Sequence, residues 1–353
     1  MSKRLVLVGA GHAHVEVLRR LSIARAEGVA LTVISPYTHV PYTGMIPGVV
    51  AGRYALAEAS IDAAGLAARA CGVFVHARAI AVDRARRIIA CEGGDEVPYD
   101  LLSINVGGLA RNPLAASGGA AILATKPVEP FMAALGDLGA PAVAVIGAGF
   151  GGIELAAALR HRGAGVSLIA GRAGLAPAAP AAARAMIERR LKARGVSVIS
   201  GADAVGAEAG RVVLGDGREI DAGAVILAAG VGPPALIASL DLPKDGRGFL
   251  KIGPTLQSPA DPHIFAVGDS ASLPGVDKAG VYAVRQGPVL AGNLRAALAG
   301  GRLRSFHPQT DYLAIISFWP DAAVAVRGRL AAEGRWADRW KEWIDRRFIE
   351  QYR

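Results

Sequence analysis

The N-terminal part of the chain contains a glycine cluster whose residue types and spacing suit phosphate binding. Gly9-Ala10-Gly11 follows an apolar run and precedes a segment whose apolar residues have helical spacing. Glycine lets the backbone turn tightly and approach a pyrophosphate, and the amides and dipole of the following helix then face the negative charge. His14 stands where a third glycine is usual, so we expect looser helix–strand packing there. The cluster predicts a dinucleotide site.

A second cluster, GAGFGG, matches the complete G-x-G-x-x-G pattern through Gly147, Gly149 and Gly152. The acid that usually bonds an adenosine ribose about 20 residues later is missing after both clusters. After the first cluster, Ser35 stands at the position of this acid, where it can make a weaker hydrogen bond. After the second cluster, Arg172 stands near the corresponding position. An acid favours NAD and a nearby arginine can accept the 2′-phosphate of NADP, so the choice of nicotinamide stays open.

Apolar strands alternate with helices around both clusters, which predicts parallel sheets covered on both faces. The predicted strands are 5–8, 31–35, 142–146, 166–170, 196–200, 211–214 and 224–227, with a helix at 180–194. The fold class is therefore α/β, with two Rossmann-like dinucleotide-binding domains, the second inserted in the first, and a small C-terminal α+β region. The predicted boundaries are 1–110 with 235–304 for the first domain, 111–234 for the second and 305–353 for the C-terminal region.

The composition excludes several classes of protein. Hydrophobic residues make up 52% of the 353 residues and charged residues 20%, which excludes a disordered chain. The net charge is +9, but the arginines are scattered, which favours a solvated surface over a nucleic-acid site. No apolar run is long enough to span a membrane. Cys71 and Cys91 are too far apart for a redox pair and too few for a zinc site, so we expect reduced thiols in a cytoplasmic protein.

A third feature completes a pattern that spans nearly the whole chain. The segment from His263 to Asp269 is an apolar strand that ends in Gly268-Asp269. With the two glycine clusters, it resembles the two-dinucleotide-binding-domain flavoproteins of the pyridine nucleotide-disulfide oxidoreductase superfamily, in which this Asp binds the ribityl chain of FAD. The segment from Asp100 to Gly107 resembles another strand of that superfamily. The usual Thr is absent there, so only the strand and Gly107 carry over.

Four longer segments resemble the type II NADH dehydrogenases and, within them, the flavoprotein family found fused to selenide, water dikinase. They are VGAGHAHVEVLR, ISPYTHVPYTGMIPGVVAG, KAGVYAVRQGPVLAGNL and IDRRFIEQY. The resemblance implies FAD as cofactor and NAD(P)H as electron donor. It implies binding roles for Gly9, Gly11, His12, Ser35, Tyr42, Thr43, Gly44, Met45, Gly107, Gly147, Gly149, Gly152, Arg172, Gly268, Asp269, Gln286 and Gly287.

The resemblance also implies catalytic roles. Glu154 would lie near the nicotinamide–flavin junction. Gln286 would precede a helix at 289–298 whose N-terminal amides stabilise negative charge on the reduced flavin. Lys126 and Lys278 are weaker candidates, as partners of such a carboxylate. The histidines of the first cluster, His12 and His14, can do acid–base chemistry by type, but we interpret them as packing or backbone-bonding residues.

The missing cysteine pair limits the chemistry that the resemblance implies. Electrons must leave the flavin directly rather than through a redox-active disulfide, which also argues against sulfide:quinone chemistry. We therefore expect an FAD-dependent NAD(P)H dehydrogenase whose acceptor is quinone-like or another diffusible molecule. One alternative is a reductase of a protein or selenium compound. The other is a non-catalytic FAD-binding protein with a degenerate nicotinamide site, which the missing acids and Thr favour.

The C-terminal segment predicts two strands, 313–318 and 322–327, and then a helix from about Glu333. One broad face of this helix carries five apolar residues: Trp336, Trp340, Trp343, Ile344 and Phe348. Such a helix can lie in a membrane interface, where a quinone would be reached. Because acids interleave with bases along the helix, we instead expect the stripe to pack on the body or on a partner subunit. A homodimer and peripheral contact with the inner face of the membrane stay open.

Overall fold

The computed structural model describes residues 2–24, 27–136, 139 and 142–353. Helices in these ranges are His12–Ile23, Ile46–Val50, Ala63–Arg69, Val128–Gly136, Phe150–His161, Ala181–Ala193, Ala235–Ser239, Gly280–Ala299 and Arg335–Glu350. None of them combines the length and apolarity needed to cross a bilayer.

The first parallel sheet carries the first glycine cluster at its carboxyl edge. Its strands lie in the spatial order Gln257–Ser258, Asp261–Ala266, Leu101–Ile104, Lys3–Val8, Val29–Ile34 and Val73–Val75. All neighbours pair in parallel except the edge strand Gln257–Ser258. The run Leu5–Val8 is fully buried because the sheet is covered on both faces. Helix His12–Ile23 packs against helix Gly280–Ala299 on one of them.

The second parallel sheet has the spatial order Ala121–Ala124, Ala224–Leu227, Ala142–Ile146, Gly165–Gly171 and Ser197–Ser200. The second glycine cluster follows the central strand Ala142–Ile146 and leads into helix Phe150–His161. The chain then returns to the first sheet at Asp261–Ala266. The predicted α/β class with two Rossmann-like units is confirmed, whereas the domain boundaries stay a prediction.

Smaller sheets surround the two parallel ones, and most of their hairpins were not predicted. One antiparallel sheet pairs Ala79–Asp83 with Ile88–Cys91 and Glu96–Pro98. In another, Ala116–Gly118 pairs in parallel with Ala204–Glu208, which continues in antiparallel pairing to Arg211–Leu214 and Glu219–Asp221. Two-stranded sheets pair His39–Pro41 with Ser60–Asp62, Leu109–Ala110 with Val231–Gly232, and Leu250–Lys251 with Ala271–Ser272. The predicted strand 211–214 therefore belongs to an antiparallel hairpin rather than to the parallel core.

The C-terminal region is an antiparallel sheet of Ala314–Phe318, Ala322–Arg327 and Leu330–Gly334 followed by helix Arg335–Glu350. The third strand was not predicted. Phe318 and Ile316 are buried in the core that surrounds helix Phe150–His161, so this sheet covers one face of the second unit. The C-terminal helix then runs back over the first unit, where its residues reach the segment that follows Tyr42.

Candidate functional site

The carboxyl ends of the first sheet open onto a cleft of about 450 Å³. Ligands of open parallel sheets bind at this edge, because the loops after neighbouring strands converge there. Seven of the predicted cofactor residues line the cleft: Gly9, Gly11, His12, Ser35, Thr43, Gly107 and Asp269. Residues 126–129 and 234–236 also line it.

The first glycine cluster requires glycine because Asn105 packs directly behind it. A Cβ atom at Gly9 would lie 2.5 Å from the Asn105 carbonyl oxygen, and one at Gly11 would lie 2.4 Å from Asn105 Oδ1. Gly9 also has a φ of +83°, a conformation that other residues rarely adopt. The backbone of the cluster is therefore pressed against the neighbouring strand end and presents its other side to the cleft.

Asn105 joins the first cluster to the strand that ends at Gly268. Its Oδ1 accepts hydrogen bonds from the backbone N–H groups of Ala13 at 3.2 Å and His14 at 3.4 Å, at the helix N-terminus. Its Nδ2 donates to the Val267 carbonyl oxygen at 3.1 Å. This residue was missed, although a polar residue directly after the apolar strand Leu101–Ile104 was an available signal.

His14 is a buried structural residue. Its Nδ1 lies 2.5 Å from the Gly9 carbonyl oxygen and its Nε2 lies 2.8 Å from Ser103 Oγ. A carbonyl can only accept, so Nδ1 carries the proton and the serine hydroxyl donates to Nε2. Burial lowers the pKa of His14 to about 4, which keeps the ring neutral. The imidazole fills the position of the usual third glycine and holds the cluster by its backbone, as the sequence interpretation expected.

His12 connects the cleft to the segment after Tyr42. Its Nε2 accepts the Thr43 N–H at 3.4 Å, and its ring meets the Tyr42 ring edge-on with centroids 5.5 Å apart. Burial lowers the pKa of His12 to about 4, so the ring is a neutral acceptor. Of the predicted flavin segment, only Thr43 lines this cleft. Tyr42 stacks on Phe348 at 4.1 Å, and Met45 is buried in the core.

Asp269 provides the carboxylate of the cleft and pairs with Lys126 at 2.5 Å. Lys278 donates to the carbonyl oxygens of Asp269, at 3.2 Å, and of Ala271. These lysines were expected to pair with a carboxylate such as Glu154. Lys126 pairs with Asp269 and Lys278 with backbone carbonyl groups, so the expectation is wrong for Glu154. Lys126 reaches Asp269 because it follows the strand Ala121–Ala124 of the second sheet.

Gln286 lies inside a helix rather than before one. The helix begins at Gly280, and Gly280 and Ala283 are its cleft-lining residues. The buried Gln286 side chain accepts the Gly268 N–H at 2.7 Å, so it positions the Gly268-Asp269 turn. At Gly287 a Cβ atom would lie 2.8 Å from the Glu16 side chain, so this glycine serves a close helix–helix approach.

The second glycine cluster is packed as tightly as its motif predicts. A Cβ atom at Gly152 would lie 1.9 Å from the Gly147 carbonyl oxygen, and Gly147 has a φ of +111°. Gly149 precedes the first residue of helix Phe150–His161, and a Cβ atom there would meet open space. These glycines lie outside the lining of the first cleft, so they form a separate element at the carboxyl edge of the second sheet.

Glu154 is buried in a charged cluster beneath the C-terminal helix. Its Oε1 accepts the Ser317 N–H at 3.0 Å and lies 3.8 Å from Lys341 Nζ. Lys341 Nζ also donates to Asp345 Oδ2 at 3.1 Å and to the Gly44 carbonyl oxygen at 2.9 Å. Burial raises the pKa of Glu154 to about 7, against the opposing attraction of Lys341. The carboxyl group can therefore exchange a proton near neutral pH.

The C-terminal helix presents its charged side inward and its tryptophans outward. Asp338, Lys341 and Asp345 are largely buried, and Asp338 pairs with Arg53 at 2.7 Å. Trp336, Trp340 and Trp343 remain 50%, 41% and 56% exposed. The expectation that the aromatic stripe packs on the body or on a partner subunit is therefore wrong for the tryptophans as far as the body is concerned, since the inner surface offers ion-pair partners instead, and packing on a partner subunit stays a prediction.

Arg172 is held by an acid of the second unit. Its backbone N–H donates to Asp203 Oδ1 at 2.9 Å, and its Nε donates to Asp203 Oδ2 at 2.8 Å. Ser35 of the first unit is likewise engaged locally, because its hydroxyl donates to the Tyr37 carbonyl oxygen at 3.0 Å.

Comparison with known proteins agrees with this geometry. The pyridine nucleotide-disulphide oxidoreductase family model matches residues 3–290. The NADH dehydrogenase-like protein YutJ of Bacillus subtilis is 33% identical over 134 residues, which cover 37% of this chain and 38% of the relative. The type II NADH:quinone oxidoreductase of Haemophilus influenzae is 31% identical over 161 residues, 41% of this chain and 36% of the relative. The chain thus matches less than half the length of these relatives.

The fold is shared over the whole chain with the NDH2 of Plasmodium falciparum, whose structure was solved in complex with NADH. The TM-score is 0.81 at 15% sequence identity, and the match covers 100% of this chain and 98% of that chain.

Proposed function

Since this chain belongs to the pyridine nucleotide-disulphide oxidoreductase family, we propose that it is a flavin-dependent NAD(P)H dehydrogenase that delivers electrons to a quinone-like acceptor. The observation that supports this most is the cleft of the first sheet. There the first glycine cluster, a helix N-terminus and Asp269 line one cleft. The relatives of the NADH dehydrogenase type support the choice of donor and acceptor.

The residues of the cleft fit FAD. Gly9 and Gly11 have no room for side chains because Asn105 packs behind them, so the bare backbone of the cluster borders the cleft at the start of helix His12–Ile23, where a pyrophosphate would be bound. The largely buried Asp269 carboxylate would accept hydrogen bonds from ribityl hydroxyls, and Thr43 and His12 also line the cleft. Bound FAD supplies the two-electron chemistry, so the protein contributes binding, orientation and charge. The start of helix Gly280–Ala299 would place partial positive charge near the reduced ring.

Glu154 and Lys341 are the groups that we propose for proton handling; they lie outside the cleft lining, and Lys341 approaches it through the Gly44 carbonyl group, next to the cleft-lining Thr43. They link the second unit, the Gly44 carbonyl group and the C-terminal helix in one buried cluster. With its pKa raised by burial to about 7, Glu154 can hold a proton at neutral pH and release it when the local charge changes. Lys341 stays charged, because Glu154 and Asp345 outweigh the effect of its burial and raise its pKa.

The cysteines and the C-terminal helix bear on the acceptor. Cys71 and Cys91 are free thiols and neither lines the cleft, which supports direct transfer from the flavin rather than a disulfide relay. The exposed face of Trp336, Trp340 and Trp343 supports peripheral contact with a membrane, where a quinone is dissolved. The likeness to flavoproteins fused to selenide, water dikinase stays a prediction.

Anaerobic mixing tests the dehydrogenase activity. NADH or NADPH should bleach the visible absorbance of the flavin within seconds, and a soluble quinone added afterwards should restore it. If neither nucleotide bleaches the flavin, the dehydrogenase function is wrong. If bleaching occurs and the quinone leaves the flavin reduced, the acceptor is of another class.

Vesicle sedimentation tests the membrane contact. Vesicles of phosphatidylcholine with anionic phosphatidylglycerol should bind the wild-type protein, and replacement of Trp336, Trp340 and Trp343 by serine should abolish binding by a protein that remains folded. Leu330→Ser is a matched control, because Leu330 is 77% exposed on the neighbouring sheet. Equal binding by the wild-type protein and the triple variant would exclude the tryptophan face as the contact.

A further inference from the structure

The nucleotide strand of the second unit ends without the usual acid. In that fold, the strand after the glycine cluster ends in an Asp or Glu that accepts a hydrogen bond from the adenosine ribose. Here the strand Gly165–Gly171 ends in a glycine with a φ of +63°. The local sequence therefore provides no carboxylate at the ribose position.

Asp203 fills the space that this missing side chain would occupy. A Cβ atom at Gly171 would lie 2.4 Å from Asp203 Oδ1. Asp203 follows the strand Ser197–Ser200, which pairs in parallel with Gly165–Gly171, so both strands bring their carboxyl ends to the same edge. A carboxylate from the neighbouring strand thus stands where the acid of the standard motif begins.

Arg172 orients this carboxylate without using all of its acceptor capacity. The two hydrogen bonds from Arg172 occupy one site on each oxygen of Asp203. A carboxylate offers about four lone-pair sites, so about two remain for a ligand. The Asp203 side chain is 48% exposed, which leaves those sites open to solvent.

We propose that Asp203 is the acid that accepts a hydrogen bond from the adenosine 2′-hydroxyl group of the nicotinamide nucleotide, so that the protein prefers NADH to NADPH. This rests on the proposed function, which requires a nicotinamide donor. The 2′-phosphate of NADPH would meet the Asp203 carboxylate, and like charges at contact distance repel. Arg172 provides little compensation, because Asp203 already neutralises its charge and holds its Nε.

Equilibrium binding of ADP-ribose and 2′-phospho-ADP-ribose to the flavin-loaded protein tests the assignment by calorimetry, since neither fragment can transfer a hydride. The wild-type protein should bind ADP-ribose at least about tenfold more tightly. Asp203→Asn should reduce that ratio by about tenfold or more, because it removes the charged acceptor and the repulsion together. Arg172→Gln keeps the carboxylate and removes its counter-charge, so the ratio should rise.

Asp100→Asn is the matched control. Asp100 accepts the backbone N–H and the guanidinium of Arg4 in the same manner, but at the opposite edge of the first sheet. It should leave the ratio unchanged. Tighter binding of the 2′-phosphate fragment by the wild-type protein, or an unchanged ratio in Asp203→Asn, overturns the assignment.

The two proposals fail differently in this experiment. If neither fragment binds, both the Asp203 assignment and the nicotinamide donor are wrong. If the fragments bind with the expected ratios but NADH does not bleach the flavin, the Asp203 assignment holds and the dehydrogenase function is wrong.

Discussion

Replacing Lys341 by methionine tests whether the C-terminal helix sets the charge state of Glu154. Lys341 Nζ lies 3.8 Å from Glu154 Oε1. At an effective dielectric constant of about 20, two unit charges at that distance attract by about 4 kcal/mol. That energy corresponds to a rise of about 3 units in the pKa of Glu154. Water that enters the space left by the lysine amine would make the rise smaller. We expect the pKa of Glu154 to rise from about 7 by roughly one to three units.

The pH dependence of flavin reduction by NADH reports this change. The wild-type protein should show an inflection near neutral pH, and because the acid form of Glu154 becomes more stable in Lys341→Met, this inflection should move to higher pH in the variant. Infrared difference spectra give an independent readout, since the band of the protonated carboxyl group should persist to higher pH in the variant and vanish in Glu154→Gln.

Two further variants separate charge from packing. Lys341→Arg keeps a cation at the position and should keep the inflection close to that of the wild-type protein. Arg339→Met removes a cation from the exposed side of the same helix and should have no effect on the inflection. An inflection in Lys341→Met that stays in place or moves to lower pH would refute the assigned role.

Three further outcomes follow from the same contacts. Asn105→Ala leaves the Ala13 N–H without its acceptor and the Val267 carbonyl oxygen without its donor, whereas the His14 N–H still donates to the Gly11 carbonyl oxygen at 2.8 Å. It should lower the free energy of unfolding in urea by about 1–3 kcal/mol, and an unchanged value would contradict the structural role described for Asn105. Asp269→Ala should weaken FAD retention in dialysis by at least about tenfold, whereas Asp277→Ala should not. Between pH 4.5 and 7 Glu154 binds more protons in the folded than in the unfolded state, because burial raises its pKa from 4.5 to about 7. The contribution of Glu154 to stability should therefore fall by up to about 3 kcal/mol as the pH rises through that window, while His12 and His14, whose pKa is lowered by burial to about 4, contribute a slope of opposite sign below pH 6.5. In pH-dependent urea titrations Glu154→Gln should lose only the falling component, so the stability of the variant should rise more with pH than that of the wild-type protein.

The sheets were predictable because their strands are buried on both faces. Such strands are continuous apolar runs, and 142–146 and 224–227 were predicted with the bounds that the structure has. The helix Gly280–Ala299 begins nine residues before the predicted start at Val289. The difference arises because the dipeptide Gly287-Pro288 is typical of a segment that lies outside a helix. The helix instead accommodates Pro288, and Gly287 permits close contact with Glu16.

The polar contacts of the site were not predictable because they join distant positions. Asn105 binds a backbone group 92 residues away, Lys341 binds one 297 residues away and Arg172 pairs with an acid 31 residues away. Local motifs predict where the backbone turns toward a phosphate. They carry no information about which side chain from another strand fills a position that the motif leaves empty, as Asp203 does at Gly171.

The orientation of the C-terminal helix follows from the surface beneath it rather than from its own pattern. Helical periodicity predicts which residues share a face, but hydrophobicity alone would have buried the tryptophans. The body presents the Arg53 guanidinium, the Glu154 carboxylate and the Gly44 carbonyl oxygen at this place. A buried charge without its partner costs about 3–5 kcal/mol. Turning the helix to bury the tryptophans would leave at least two such charges without partners, so the ion pairs hold the aromatic face outward, toward the solvent.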